Sequence, residues 1–322
     1  MAMDATIKDF PKQFEYEPHI ENADRLEKKK HIIIAGMGGS ALPGDIAKMA
    51  FPFLDIAIHR DYGLPYRSDS KLKESLCVAI SYSGNTEEVL DAFDAAEQKN
   101  LSTAIIATGG ELLERAKEKG VAHVKIPNTG IQPRMGTGFM LQALMKLLGM
   151  ENALVETKTL VEALDVDTAE KEGKTLAEKI RGKVPIIYSS VENKVIAYNW
   201  KVKFNETGKI PAFYNVFPEL NHNEMTGFDI KEPTKKIGEM FHFIFLRDRD
   251  DHPKIQKRMD ICKKLYEDRG LHVETMALEG ATLWEKIFFS FLIADWASFY
   301  TSTHLGLDPE QVPMVAEFKK MI

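Results

Sequence analysis

A glycine-rich turn between an apolar run and a helical stretch constrains the fold of this chain more than any other feature. Residues 31–35, His-Ile-Ile-Ile-Ala, are typical of a buried strand, and residues 36–39, Gly-Met-Gly-Gly, follow directly. Ser40 then precedes a stretch with helical character at 42–49. Where a strand turns through glycines into a helix, free backbone N–H groups and the helix dipole favour an anion, usually a phosphate. The alternative is a tight turn without a ligand.

Apolar runs and helical stretches alternate along the chain, a pattern typical of βαβ units and a mostly parallel sheet. We predict strands at 32–35, 56–59, 76–81, 103–107, 122–126, 184–189, 240–246 and 272–277. The clearest predicted helices lie at 86–98, 112–119, 192–205, 253–268 and 283–300. A loose arm with one short helix is expected before the first strand. The chain is therefore predicted to be an α/β protein with two doubly wound parallel-sheet domains, 1–150 and 183–322, joined by a helical linker at 151–182.

A second loop of small polar residues follows the third predicted strand. It reads Ser81-Tyr82-Ser83-Gly84-Asn85-Thr86 and opens a helix. Ligands of open α/β sheets bind at such carboxyl ends of strands. One hydroxyl is enough to cap a helix, so the three hydroxyls of Ser81, Ser83 and Thr86 favour an anion site over a simple cap.

A third loop places Arg134 between a proline and a Met-Gly-Thr-Gly run. The planar guanidinium of an arginine suits an oxyanion, while the alternative is an ordinary surface arginine.

Composition excludes several classes of partner. The net charge of −6 gives no indication of nucleic-acid binding.

The apolar stretch 283–300 contains Glu285, Lys286 and Asp295, so we interpret it as a buried helix, at an interface between two subunits, and not as a membrane span. Neither cysteine belongs to a CxxC pair, and the first residues lack the apolar run of a secretory leader. Both features lead us to expect a protein of the reducing cytoplasm.

Four motifs together resemble the prokaryotic bifunctional phosphoglucose/phosphomannose isomerases, which are built from two sugar isomerase (SIS) subdomains. The motifs are Gly-Met-Gly-Gly-Ser, Ser-Tyr-Ser-Gly-Asn-Thr, Phe-Asn-Glu-Thr-Gly and Asn-His-Asn-Glu. The first two are typical of any SIS domain, and the last two narrow the resemblance to this family. The resemblance implies three-layer αβα subdomains. It also implies metal-independent interconversion of fructose 6-phosphate with glucose 6-phosphate and mannose 6-phosphate through a cis-enediol, without a cofactor.

The resemblance also implies which residues bind the substrate. The sugar and its phosphate would lie against Gly38, Gly39 and Ser40, with the phosphate held by Ser81, Ser83 and Thr86.

The catalytic assignments come from the same resemblance. Arg134 would steady the enediolate, and Glu206, in Phe-Asn-Glu, would be the base. His222, in Asn-His-Asn-Glu, would help to open the sugar ring and would be supplied by the partner subunit of a homodimer. Lys319 would also act in ring opening, with the adjacent Lys320 as the alternative.

From the local pattern alone, these residues have simpler interpretations. Glu206 would be a solvated glutamate at the end of a helix, and His222 a surface histidine in a loop. His222 and Glu224 lack a third partner at ligand spacing, so we predict no metal site.

Two other functions fit parts of the sequence. Residues 36–41 satisfy the G-x-G-x-x-A fingerprint of dinucleotide-binding oxidoreductases, with Asp61 at a suitable distance, but this interpretation leaves the second loop unexplained. A non-catalytic SIS module that senses sugar phosphates would keep the second loop and need neither Glu206 nor His222. Such modules usually carry a helix-turn-helix domain, and no basic recognition helix is evident.

Overall fold

The computed structural model describes residues 2–321 and divides them into two compact units. The first unit comprises Lys8–Ala163, and the second comprises Ala2–Ile7 together with residues 164–321. The division in the sequence falls inside the stretch 151–182 that we predicted as a linker.

The first unit contains a five-stranded parallel sheet in the order β2-β1-β3-β4-β5. Its strands are β1 (His31–Ala35), β2 (Asp55–His59), β3 (Ser75–Ile80), β4 (Ser102–Ala107) and β5 (Ala122–Lys125). Its helices are α2 (Leu42–Ala50), α3 (Asp69–Lys73), α4 (Glu87–Gln98), α5 (Gly110–Lys119), α6 (Thr137–Leu147), α7 (Glu151–Lys158) and α8 (Leu160–Ala163), while α1 (Met3–Lys8) belongs to the second unit apart from Lys8. The strand order reverses at β1 and β3, as in doubly wound sheets, which carry helices on both faces.

Burial on both faces explains the composition of these strands. Ile32, Ile33 and Ile34 of β1 are all buried, as a central parallel strand requires. The expectation of a loose arm before β1 is wrong for residues 10–15, which form a 3₁₀ helix. This helix packs into the unit because Phe10 and Phe14 bury their rings.

The second unit contains a four-stranded parallel sheet in the order β7-β6-β8-β9. Its strands are β6 (Val184–Ser190), β7 (Phe213–Phe217), β8 (Phe241–Arg247) and β9 (His272–Ala277). Its remaining helices are α9 (Val166–Lys179), α10 (Lys194–Glu206), α11 (Glu224–Gly227), α12 (Lys235–Gly238), α13 (Pro253–Glu267), α14 (Leu283–His304) and α15 (Pro313–Phe318). Both units are thus parallel α/β folds, which confirms the predicted fold class.

Helix α14 forms part of the core of the second unit. Its residues from Phe291 to Ser298 are all buried, and α9 and α10 pack against it. Gly173 of α9 permits the close approach, since a Cβ there would lie 2.5 Å from the Cβ of Trp296. The buried-helix prediction is therefore confirmed. Helices α9 and α10 of the same chain already cover much of α14, and its placement at a subunit interface stays a prediction.

Within the described residues, no helix combines the length and apolarity needed to cross a bilayer.

Candidate functional site

The two predicted anion-binding loops meet at the carboxyl edge of the first sheet. A 3₁₀ turn at Gly38–Ser40 follows β1, and the loop Ser81–Thr86 follows the neighbouring strand β3. The backbone N–H of Tyr82 donates to Ser40 Oγ at 3.1 Å, which joins the loops directly.

The strand order of the first sheet differs from that of the dinucleotide-binding fold and matches the flavodoxin-like order, which counts against the oxidoreductase interpretation.

Hydroxyl–hydroxyl contact shapes the second loop. Ser81 Oγ lies 2.8 Å from Thr86 Oγ1 and also accepts from the N–H of Gly84 at 3.0 Å. Thr86 occupies the N-cap position of α4 without making a side-chain cap. The first N–H groups of α4 have no acceptor inside the helix, so they remain suited to an anion.

The three hydroxyl-bearing residues of this loop differ in their exposure to solvent. Ser81 is fully buried, Thr86 is half-buried and Ser83 is exposed. Ser83 and Thr86 can therefore meet a ligand from solvent, whereas Ser81 holds the hydroxyl of Thr86 in place.

The loop after β4, which the sequence pattern did not indicate, completes this edge. Thr108, directly after β4, donates from Oγ1 to the carbonyl of Tyr82 at 2.7 Å. Gly84 adopts a φ of +76°, and a Cβ there would overlap the carbonyl oxygen of Gly109. The signal that could have identified Thr108 is its position, because it follows a neighbouring strand at the same edge.

Arg134 lies against the first loop and is only 4% exposed. It sits in the 3₁₀ turn Pro133–Met135, and a Cβ on Gly39 would lie 3.0 Å from its Cα. The interpretation as a surface arginine is therefore wrong. A buried guanidinium beside two loops rich in N–H and hydroxyl groups adds positive charge where an anion is expected.

The same edge of the second sheet has the opposite chemistry. The Lys286 ammonium donates to both carboxylate oxygens of Asp248, at 2.9 and 2.8 Å, and to Asp250 at 2.8 Å. Asn193, in the loop after β6, donates to Asp248 and to Asp251. Burial raises the pKa of Asp251. Carboxylates repel a phosphate, so the features that favour an anion belong to the first unit.

Glu206 is the last residue of α10 and is half-buried. Its carbonyl accepts from the Lys209 ammonium at 2.5 Å. The same ammonium donates to the carbonyl of Gln311, shortly before α15. Lys319 directly follows α15 and is exposed, as is Lys320. The end of α10 is therefore tied to the segment that leads to these two lysines.

The Asn-His-Asn-Glu segment contains two residues with different surroundings. His222 ends the 3₁₀ turn Glu219–His222 and is exposed. The Glu224 carboxylate accepts from the hydroxyl of Tyr188 and from Nδ2 of Asn215. Burial raises the pKa of Tyr188, so this hydroxyl stays protonated and donates. Glu224 is thus anchored within the fold, whereas His222 faces solvent in this chain.

Among the residues that the structure describes, no three His, Cys, Asp or Glu side chains are grouped so that they could hold a metal ion.

Sequence comparisons match the chain to isomerases of one family. Residues 169–322 match a family model described as the bacterial phospho-glucose isomerase C-terminal SIS domain. The chain is 33% identical to a bifunctional phosphoglucose/phosphomannose isomerase of Aquifex aeolicus, over 98% of this chain and 96% of that protein. It is 34% identical to a protein of the same name from Caldicellulosiruptor bescii, over 97% and 95%.

Solved structures give the same fold. The tagatose-6-phosphate ketose/aldose isomerase of Escherichia coli superposes with a TM-score of 0.69 at 15% identity, covering 96% of this chain and 94% of that one. The resemblance that the four motifs indicated is confirmed. With its two parallel sheets and its near full-length relatives, the chain belongs to the bifunctional phosphoglucose/phosphomannose isomerase family and is an isomerase.

Proposed function

We propose that the protein interconverts fructose 6-phosphate with glucose 6-phosphate and mannose 6-phosphate through a cis-enediol. The observation that carries this proposal is the joining of the two predicted loops and Arg134 at one edge of the first sheet. Aldose–ketose isomerisation needs a hold on the remote phosphate, a base, and a group that stabilises the developing oxyanion. The relatives' name supports the choice of substrates.

The phosphate would bind to the second loop and the start of α4. Ser83 and Thr86 would donate hydroxyl hydrogen bonds, and the first N–H groups of α4 would add backbone donors. Ser81 would orient Thr86, as their 2.8 Å contact supports. The turn Gly38–Ser40 would lie against the sugar and its phosphate, since a glycine backbone permits close approach.

The proton transfer would use Glu206. Its carboxylate would remove the proton from C2 of the open-chain aldose, so that the C1 carbonyl becomes an enediolate. Arg134 would stabilise the enediolate oxygen, and the proton would return to C1 to give the ketose. His222 and Lys319 would assist ring opening by moving a proton between the ring oxygen and the C1 hydroxyl. The exposure of His222 supports a role outside the core of its own chain.

We also propose a homodimer in which His222 acts on the partner's substrate. An inactive Glu206→Gln chain mixed with an inactive His222→Ala chain should then regain activity, because mixed dimers pair one intact Glu206 with the other chain's intact His222. Absence of any recovery after confirmed subunit exchange would show that each site uses its own histidine.

A cytoplasmic location is part of the same proposal. Cys77 and Cys262 are both free and buried, as suits a reducing compartment.

A coupled assay tests the activity. Enzyme treated with EDTA should convert fructose 6-phosphate into both glucose 6-phosphate and mannose 6-phosphate, each followed with its own reporter enzyme. Turnover that vanishes in EDTA and returns with zinc would contradict the metal-independent mechanism, and the absence of both products under all conditions would contradict the function.

A further inference from the structure

We propose that a buried ion pair between Lys203 and Asp295 positions Glu206, an inference that rests on the proposed role of Glu206 as the base. The ammonium of Lys203 lies 2.6 Å from the carboxylate of Asp295. The two side chains are only 4% and 3% exposed, so the pair is removed from water. No local sequence pattern indicates this pair, since its members are far apart in the chain.

Lys203 lies where it can set the position of the last turn of α10. It lies three residues before Glu206, one helical turn away. Its carbonyl accepts from the N–H groups of both Thr207, at 2.9 Å, and Gly208, at 3.0 Å. Any movement of Lys203 is therefore transmitted to the residues that follow it, including Glu206.

The partner of Lys203 is fixed in the core of the unit. Asp295 lies in the fully buried middle of α14. A second buried polar contact joins the same helices one turn earlier, where Nε1 of Trp200 donates to Ser290 Oγ at 2.9 Å. This contact holds the body of α10 on α14, whereas the ion pair holds the turn that ends at Glu206.

Stability alone does not explain a charged pair at this position. Replacing a buried ion pair with apolar residues of similar size is often neutral or stabilising, because the ions need not be desolvated. Apolar packing is not directional, however, whereas the ion pair fixes two atoms at a set separation. A displacement of the base by about 1 Å can lower the rate about 10²-fold. The benefit of the ion pair is therefore that it fixes the position of Glu206.

The double variant Lys203→Met/Asp295→Leu separates position from stability. We expect a melting temperature near that of the wild type because both charges are removed together. We expect kcat for fructose 6-phosphate to fall by about 10- to 100-fold with KM unchanged, because the base is displaced and the phosphate site is not.

Two further variants accompany it. Lys203→Arg keeps the charge that compensates Asp295, but a guanidinium cannot reproduce the single N–O contact, so kcat should again fall at constant KM. Trp200→Phe removes the other helix contact and should lower the melting temperature while leaving kcat near that of the wild type, because the turn that ends at Glu206 keeps its ion pair.

Wild-type kcat in either Lys203 variant would overturn the proposal and make the pair purely structural. A parallel Glu206→Gln variant identifies the source of a failure. If it keeps wild-type kcat, the assignment of the base is wrong. If it is inactive while the Lys203 variants are unimpaired, only the positioning role is wrong.

Discussion

The hydroxyl of Thr86 distinguishes a binding loop from an ordinary helix cap. A threonine at an N-cap usually accepts a hydrogen bond from the N–H groups of its own helix. Thr86 instead contacts Ser81 Oγ, and its position leaves the start of α4 open to a ligand. Thr282, at the N-cap of α14, shows the usual arrangement by accepting from the N–H of Glu285 at 3.1 Å.

Substitution of these two threonines should have opposite effects. Thr86→Ala would remove the proposed hydrogen bond to the charged phosphate, worth roughly 1.5–3 kcal/mol. We expect the affinity for sugar phosphate to fall about tenfold or more, with little change in stability. Affinity can be measured calorimetrically with an unreactive sugar-phosphate analogue.

Thr282→Ala is the matched control. It should lower the free energy of unfolding by about 1 kcal/mol and leave affinity unchanged. Unchanged affinity in Thr86→Ala would place the phosphate elsewhere.

Close contact between loops defines the carboxyl edge of the first sheet. The loop after β3 approaches the loop after β4 so closely that Gly84 has no room for a side chain. Its backbone also lies in the left-handed region, with a φ of +76°. The shape of the proposed phosphate site therefore depends on a contact between two loops as much as on the hydroxyls themselves.

Gly84→Ala should be more harmful than an equally strained glycine substitution in open space. Gly63 has a φ of +65°, and a Cβ added there would have no other atom within 4 Å, so Gly63→Ala should lose about 1–2 kcal/mol from backbone strain alone. Gly84→Ala adds a clash with the Gly109 carbonyl and should lose at least about 3 kcal/mol. The free energies can be measured by urea unfolding, and equal losses would contradict the tight loop contact.

The sequence was informative where one segment carries its own signal. The isoleucines of β1 predict a central strand because such a strand is buried on both faces, and the hydroxyls after β3 predict a polar loop. Strand β7 was missed because Asn215 interrupts its apolar pattern, and its position at the edge of the sheet leaves Phe213 exposed. Apolarity predicted the burial of α14 but could not show that α9 and α10 cover it.

Contacts between distant residues account for the rest of what the sequence could not show. Tyr82 contributes through its backbone N–H and carbonyl, which nearly every residue type possesses, so its side chain gave no indication of this role. Lys203 and Asp295 meet only after α10 packs on α14. Such pairings require the three-dimensional fold.

The two units use one kind of fold for different chemistry. Each has a parallel sheet whose first strand in the sequence lies inside the sheet. At the carboxyl edge, the first unit presents hydroxyls, glycine turns and a buried arginine, whereas the second presents carboxylates compensated by Lys286. The net charge of −6 is therefore compatible with the proposed phosphate site, because local donors and not the overall charge determine such a site.

The identity of the base is decided by comparing the kcat of Glu206→Gln with that of Glu224→Gln. Glutamine keeps the size of the side chain and removes the base, so Glu206→Gln should bind substrate normally while kcat falls by about 10² to 10⁴-fold. Glu224 is held by Tyr188 and Asn215, so Glu224→Gln should lose stability and retain most of its kcat. Wild-type kcat in Glu206→Gln together with an inactive Glu224→Gln would contradict the proposed mechanism.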